Sequence, residues 1–224
     1  MVAGCRIVLS NKRGWVEVDT MLDMIIRGGP VMVPLLLCSV LMLAVVLERL
    51  FYLLRCRVDT EDLMDDIKLA LQQGKILEAM QIAKKTRGPV AAVLAAGIAH
   101  YDKDKEHIRE RLEEVAQEEL FKMERRLGML DVLVTVSPLL GLLGTVTGII
   151  KSFQVIAAVG GMEDPLGIST GIAEALITTA VGLIIAIPGM LIYSYLSSLI
   201  DRQVVDINKR SSELLAILET RGEI

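Results

Sequence analysis

The sequence predicts an all-α polytopic membrane protein with three transmembrane helices, two of them extending into a helical cytoplasmic domain. Three observations predict it. Long blocks at Val31–Leu47, Val132–Ile150 and Gly171–Ile200 carry no charge apart from Glu174. The charges gather instead in Arg55–Arg126 and Asp201–Glu223. In those charged stretches, apolar residues recur at helical rather than strand spacing. An apolar share of 53% in 224 residues would also suit a soluble domain, so segregation decides, not composition.

The first twenty residues lack the uninterrupted apolar region of a signal peptide, because Arg6 breaks it. Met21 makes a more natural opening, so residues 1–20 read as an upstream extension of an extracytoplasmic segment, 1–27. Helix one covers residues 28–54; at 1.5 Å per residue, the part from Val31 to Leu54 is enough for ~30 Å of hydrocarbon. Near its end Arg49 can snorkel to headgroups beside Glu48, and Phe51 and Tyr52 can anchor at the interface.

Residues 55–128 form the cytoplasmic domain. Leu63, Ile67, Ala70 and Leu71 mark a first helix that stops at Gly74. Ile76–Thr86 is a second, ended by Gly88-Pro89, and Pro89 suits the first turn of a third that ends near Tyr101. Asp104 is placed to cap a fourth, with Glu118 and Lys122 as an i,i+4 pair on its charged face. Without a break before the second apolar block, Asp104 to about Val159 reads as one helix of roughly 80 Å, with bends at Gly128 and Pro138. Its membrane part is residues 129–159. A turn at 160–170 leads to helix three, 171–200, which continues as a cytoplasmic C-terminal helix over 201–224.

Orientation follows from the positive flanks. Arg49, Arg55 and Arg57 follow helix one, Lys122, Arg125 and Arg126 precede helix two, and Arg202, Lys209 and Arg210 follow helix three. The turn between helices two and three has Lys151 alone, then Glu163 and Asp164. The N-terminus and this turn are therefore placed outside, and the C-terminus in the cytoplasm.

Glu174 is the residue that asks for a function. A carboxylate within a span costs roughly 2.5–3.5 kcal/mol on insertion scales, so it normally faces protein or a water-filled cavity. Small residues line both neighbouring helices: Gly141, Gly144 and Gly148 on helix two, and Ala175, Gly182, Ala186 and Gly189 on helix three. These allow close packing in lipid. Thr145 and Thr179 fall at one depth if the outer ends lie near Val155 and Thr170, and Thr178 is one turn from Glu174. Each hydroxyl can hold water, or simply bond its own helix's carbonyl. A single deep acid is too little for a relay across ~30 Å, so a partner helix with its own acid would complete the path, and repeating the subunit around an axis would turn the threonines into a polar ring.

The motifs GLLGTVTGIIKSF at Gly141–Phe153 and GIAEALITTAVGLIIAIPGMLIY at Gly171–Tyr193 resemble those of the ExbB/TolQ/MotA proton-channel family. The opening Gly28–Leu50 resembles ExbB in particular. The resemblance implies a homopentamer in the bacterial inner membrane around an ExbD-like dimer, with proton influx passed to a TonB-like protein for outer-membrane transport. It maps the ion pathway onto Thr145, Glu174 and Thr179, with Thr178 beside them. No cofactor is implied; the transported ion is the proton, with sodium left open. A TolQ-like envelope motor, another MotA-family stator and a non-conducting membrane scaffold are the alternatives.

Other classes find little support. A net charge of −4 gives no basic face for nucleic acid. Cys5, Cys38 and Cys56 have no metal or redox spacing. His100 and His107 come with no nucleophile or metal cluster, so neither an enzyme nor a metal site is expected.

Overall fold

The computed structural model describes residues 28–55, 59–159 and 165–222, all of it helix and short connections, with no strand among them. The elements are α1 (Met32–Arg55), α2 (Thr60–Gln72), α3 (Ile76–Lys85), α4 (Pro89–Ala99), α5 (Lys105–Glu124), α6 (Leu127–Val159) and α7 (Pro165–Gly222). Among the described residues, three helices are long and apolar enough to cross a membrane: those through Met32–Leu53, the α6 region and the first half of α7. The extension at 1–20, with Cys5, lies outside the described residues, as does Cys56.

The chain divides into two compact units. One holds the described parts of Met1–Met42 and Val132–Gly189; the other holds the described parts of Leu43–Asp131 and Met190–Ile224.

In the first unit, α1 opens through a turn at Gly29, whose φ of +67° favours glycine. The Met32 amide donates to the Gly29 carbonyl at 3.1 Å. Val31, Met32 and Leu35 then bury against Leu140 of α6 and Val181 and Ile185 of α7. Outward, the same helices expose Leu142, Val146, Ile149, Leu176, Ile184 and Ile187. Such a surface is stable only against lipid or other apolar protein. Pro138 lies inside α6 and removes one backbone donor. Beside it, buried Ser137 donates its hydroxyl to the Leu133 carbonyl at 2.6 Å.

The second unit is built from short helices around α4, which buries Val90, Ala91, Val93, Leu94 and Ile98. An apolar helix of 11 residues is too short to span a bilayer and serves here as a core. Asp59 caps α2 by accepting from the Glu61 and Asp62 amides at 3.0 and 3.4 Å. Gly74 turns the chain at φ +81°. Gly97 on α4 makes room for Leu112 of α5 and Leu214 of α7: a Cβ there would sit 2.8 Å from both leucine Cδ2 atoms. Arg210 is buried, and the hydrogen bond it donates to Glu213 raises its guanidinium further above its ordinary value.

Two expectations about this unit need correction. Lys122 donates to Glu119, at 2.6 Å, rather than to Glu118 one turn away. Asp104 holds the N-cap position of α5, but its side chain makes no capping bond.

The larger correction concerns the helix expected to run unbroken from Asp104. It stops at Glu124 and restarts at Leu127, with Arg126 at φ +69°. Neither Gly128 nor Pro138 makes the break; α1 holds it. Arg126 pairs with Glu48. In a continuous helix the Lys122 carbonyl would accept from Arg126; here it accepts instead from the Arg49 guanidinium at 3.3 Å. Arg49, buried, also lies 5.4 Å over the Tyr52 ring and pairs with Glu48 at 3.5 Å. Left-handed backbone at a non-glycine residue persists when its surroundings over-determine it, and α1 does so here.

The third apolar helix begins at Pro165 rather than Gly171, so part of the predicted turn is helical, while residues 160–164 lie outside the described ones. Its continuation past Ile200 is present: α7 is one helix of 58 residues.

Candidate functional site

The site is set by an antiparallel contact between α6 and α7, packed through small residues. Residue pairs step along it in order: Ser137 with Gly182, Gly141 with Thr179, Gly144 with Thr178, Gly148 with Ala175, and Ser152 with Gly171. A Cβ at Gly182 would lie 2.7 Å from the Ser137 carbonyl oxygen, and one at Gly141 would lie 3.1 Å from Thr179 Cα. Both are backbone atoms, so the helices can approach this closely only without side chains. Further along, Gly189 faces Met42 and Val134, its Cβ position lying 2.9 Å from the Met42 Cε and Val134 Cγ2 atoms. Ala175 and Ala186 are buried.

The three threonines differ in setting. Thr179, half-buried, donates across the pair to the Gly141 carbonyl at 3.0 Å. Thr145, also half-buried, donates within α6 to the Leu142 carbonyl at 2.6 Å. Thr179 thus meets α6 one turn from Thr145. Thr178 is buried against Gly144, its hydroxyl donating to the carbonyls of Ala175 at 2.9 Å and Glu174 at 3.2 Å. Its hydroxyl and methyl fill the space that Gly144 leaves open. Thr178 is a wedge between two helices, whereas its two neighbours sit nearer the surface.

Glu174 is not the isolated carboxylate that its sequence surroundings suggest. Lys151 of α6 donates to its Oε1 at 2.5 Å. The glutamate side chain is 17% exposed and the lysine 46%, so the ammonium lies on the more open side. A third segment closes on the same group. A Cβ at Gly29 would fall 2.6 Å from the Glu174 carboxyl carbon and closer still to Oε1. Three segments distant in the chain therefore converge on one carboxylate.

Lys151 and Gly29 were the residues sequence reasoning missed. Lys151 was visible as the sole cation beside the α6–α7 turn, but its long stem was not carried to Glu174. Gly29 carried a turn signal only.

Nothing in the geometry suggests a metal centre: among the described residues there is no group of three or more His, Cys, Asp or Glu placed to hold an ion. His100 and His107 pack edge to face with centroids 5.7 Å apart, and His100 Nδ1 lies 2.9 Å from the Ala96 carbonyl oxygen.

Comparison with known proteins bears on what this arrangement is. A family model described as the MotA/TolQ/ExbB proton channel family matches residues 85–209, which include Thr145, Lys151, Glu174, Thr178 and Thr179. The ExbB-like 1 protein of Synechocystis is 34% identical over 201 residues, covering 88% of this chain and 79% of the relative. The biopolymer transport protein exbB1 of Vibrio cholerae is 33% identical, covering 78% of each. The Tol-Pal system protein TolQ of Haemophilus influenzae is 36% identical over a shorter stretch, 46% of this chain and 45% of its own. With an acid-bearing pair of small-residue helices inside the matched region, and relatives aligned over most of their length, this chain belongs to the MotA/TolQ/ExbB proton channel family.

Proposed function

We propose that this chain is an ExbB-type subunit of a proton-driven motor in the bacterial inner membrane. Five copies form a ring around the single transmembrane helices of an ExbD-like dimer. Proton influx through the ring is passed to a TonB-like protein and energises outer-membrane transport. The N-terminus lies in the periplasm and the C-terminus in the cytoplasm, as the positive flanks indicate.

The observation that carries this reading is Glu174: a largely buried carboxylate in the apolar α6–α7 pair, one turn from Thr178, on two helices that also carry the half-buried hydroxyls of Thr179 and Thr145. Acids at such positions are costly and serve ion pathways by default. The hydroxyls supply donors and acceptors for water without adding charge. The apolar faces of α6 and α7 are suited to neighbouring copies, a guest helix and lipid. One acid per subunit is too few for a full relay, which is why the partner's own acidic residue belongs in the mechanism. Between ExbB and TolQ roles, the longer alignments to ExbB-type relatives favour the former.

The test is Glu174→Gln in a strain lacking its own ExbB. Energised uptake through a TonB-dependent receptor is lost, while the ring still forms and is recovered by detergent extraction. A non-conducting scaffold tolerates the change, so wild-type uptake by this variant would sink the proposal.

A further inference from the structure

The Lys151–Glu174 pair is the one feature of the site that the pathway reading leaves unused. Its geometry is specific. The ammonium donates to Oε1 at 2.5 Å, a close charge-assisted hydrogen bond. It comes from α6, while the carboxylate comes from α7. On another side the backbone of Gly29 lies against the same carboxyl, at a position where any side chain would collide with it. Among the described residues, Lys151 is the charged group that α6 brings to Glu174, and the turn before α1 brings no charge.

We infer that the Lys151 ammonium is a tethered cation that occupies the Glu174 carboxylate and excludes sodium and other metal cations from it, so that the proton is the ion this site accepts. The inference rests on Glu174 being the pathway acid and adds the determinant of its selectivity. A hard metal cation needs several oxygen ligands around it. At Glu174 the space for such a shell is taken by an ammonium and by a glycine backbone. A sodium ion would have to displace a cation that cannot diffuse away, being held by its own stem. A proton needs only one lone pair of one carboxylate oxygen. On binding, it cancels the charge that holds Lys151, and the ammonium can turn to its more exposed side.

The experiment compares the wild type, Lys151→Gln, Lys151→Arg, Glu174→Gln and the Lys151→Gln/Glu174→Gln double variant as purified protein in detergent. The carboxylate stretch of Glu174 is identified by infrared difference as the band lost in Glu174→Gln. Sodium is titrated at fixed pH and constant ionic strength, with choline as the replaced cation. In Lys151→Gln the band shifts with sodium, at a half-saturating concentration at least about tenfold below any response of the wild type, the low end of couplings between close charge pairs. Lys151→Arg keeps the wild-type insensitivity, and the double variant shows no sodium-dependent band. Both Lys151 variants replace a half-exposed side chain, and a matching thermal melt checks that they fold. Equal sodium responses in the wild type and Lys151→Gln would overturn the inference, as would absence of an ionised Glu174 band from the wild type. The spectral result stands whether or not Glu174→Gln abolishes uptake, so failure of this inference and of the motor assignment are told apart.

Discussion

Adding one carbon at Gly148 should separate α6 from α7, and the structure sets the scale. An alanine Cβ there would begin 2.6 Å from the Gly171 carbonyl oxygen, 2.8 Å from the Ala175 Cβ and 3.1 Å from the Ala175 nitrogen. Two of these three are backbone atoms of α7, which no rotamer change can move. Ordinary contact starts near 3.4 Å, so the helices must part by about 0.8 Å locally, the difference from 2.6 Å. Overpacking of this kind costs roughly 1–3 kcal/mol. For a chain of this length each kcal/mol moves a melting temperature by about 2–4 °C. Gly128→Ala is the matched control. It lies in the first turn of α6 with nothing within 4 Å of its Cβ position, so the same added methyl meets no neighbour. There alanine should stabilise, by up to about 1 kcal/mol from helix propensity. The assay is thermal unfolding of both variants in one detergent, with oligomer size followed by light scattering. Gly148→Ala melting at or above the wild type, with unchanged size, would refute the close-packing argument.

Further outcomes follow from other contacts. Thr179→Val removes a hydrogen bond between helices and should cost about 0.6–1.7 kcal/mol in thermal unfolding. Thr145→Val breaks only a bond within its own helix and should barely move the melt, although ion flux through the complex falls in both. Arg126→Ala should be less stable than Arg126→Gly by about 1–2 kcal/mol, since both lose the Glu48 pair but only glycine takes φ +69° without strain; equal melts would argue against a strained break. The hydrogen bond and charge of Glu119 hold Lys122 above its ordinary 10.5. A raised lysine stabilises below its unfolded value and loses that contribution as pH climbs through the folded one. Glu119→Gln should therefore melt slightly below the wild type at neutral pH, and the difference should shrink as pH climbs through the alkaline range, where the wild type loses the same contribution.

How much of this was legible beforehand divides along physical lines. Local signals carried far. The short helices of 59–99 were marked by Gly74, Gly88 and Pro89, each of which sets backbone geometry through its own chemistry, whereas the Asp59 cap emerged only from the structure. The length and low charge of three segments marked the candidate spans, and apolar periodicity past Ile200 marked the extension of α7. The break at Arg125–Arg126 had no such sign. No glycine or proline stands there; the left-handed arginine is held by Glu48, which pairs with it, and by Arg49, which takes the Lys122 carbonyl, 78 and 73 residues away. The partner of Glu174 was hidden for a similar reason. Lys151 is 23 positions earlier, and only the antiparallel register of α6 and α7 brings it level with the acid. The small-residue stripes of the two helices were readable, but their pairing, which makes Thr178 a wedge, was not. Periodicity tells which residues share a face and leaves open which face meets which.

The turn at Gly29 has a bearing on how loss-of-function alleles are sorted. A residue before the first apolar helix would ordinarily be blamed for failed insertion or poor yield. Here a substitution at that glycine would push directly on the carboxyl of Glu174, so a normally abundant, correctly inserted variant could be inactive for the same reason as a lesion in the acid itself. Affinity tags and reporter fusions placed next to this turn would carry the same hazard, and a suppressor screen begun at Gly29 should return changes at Lys151.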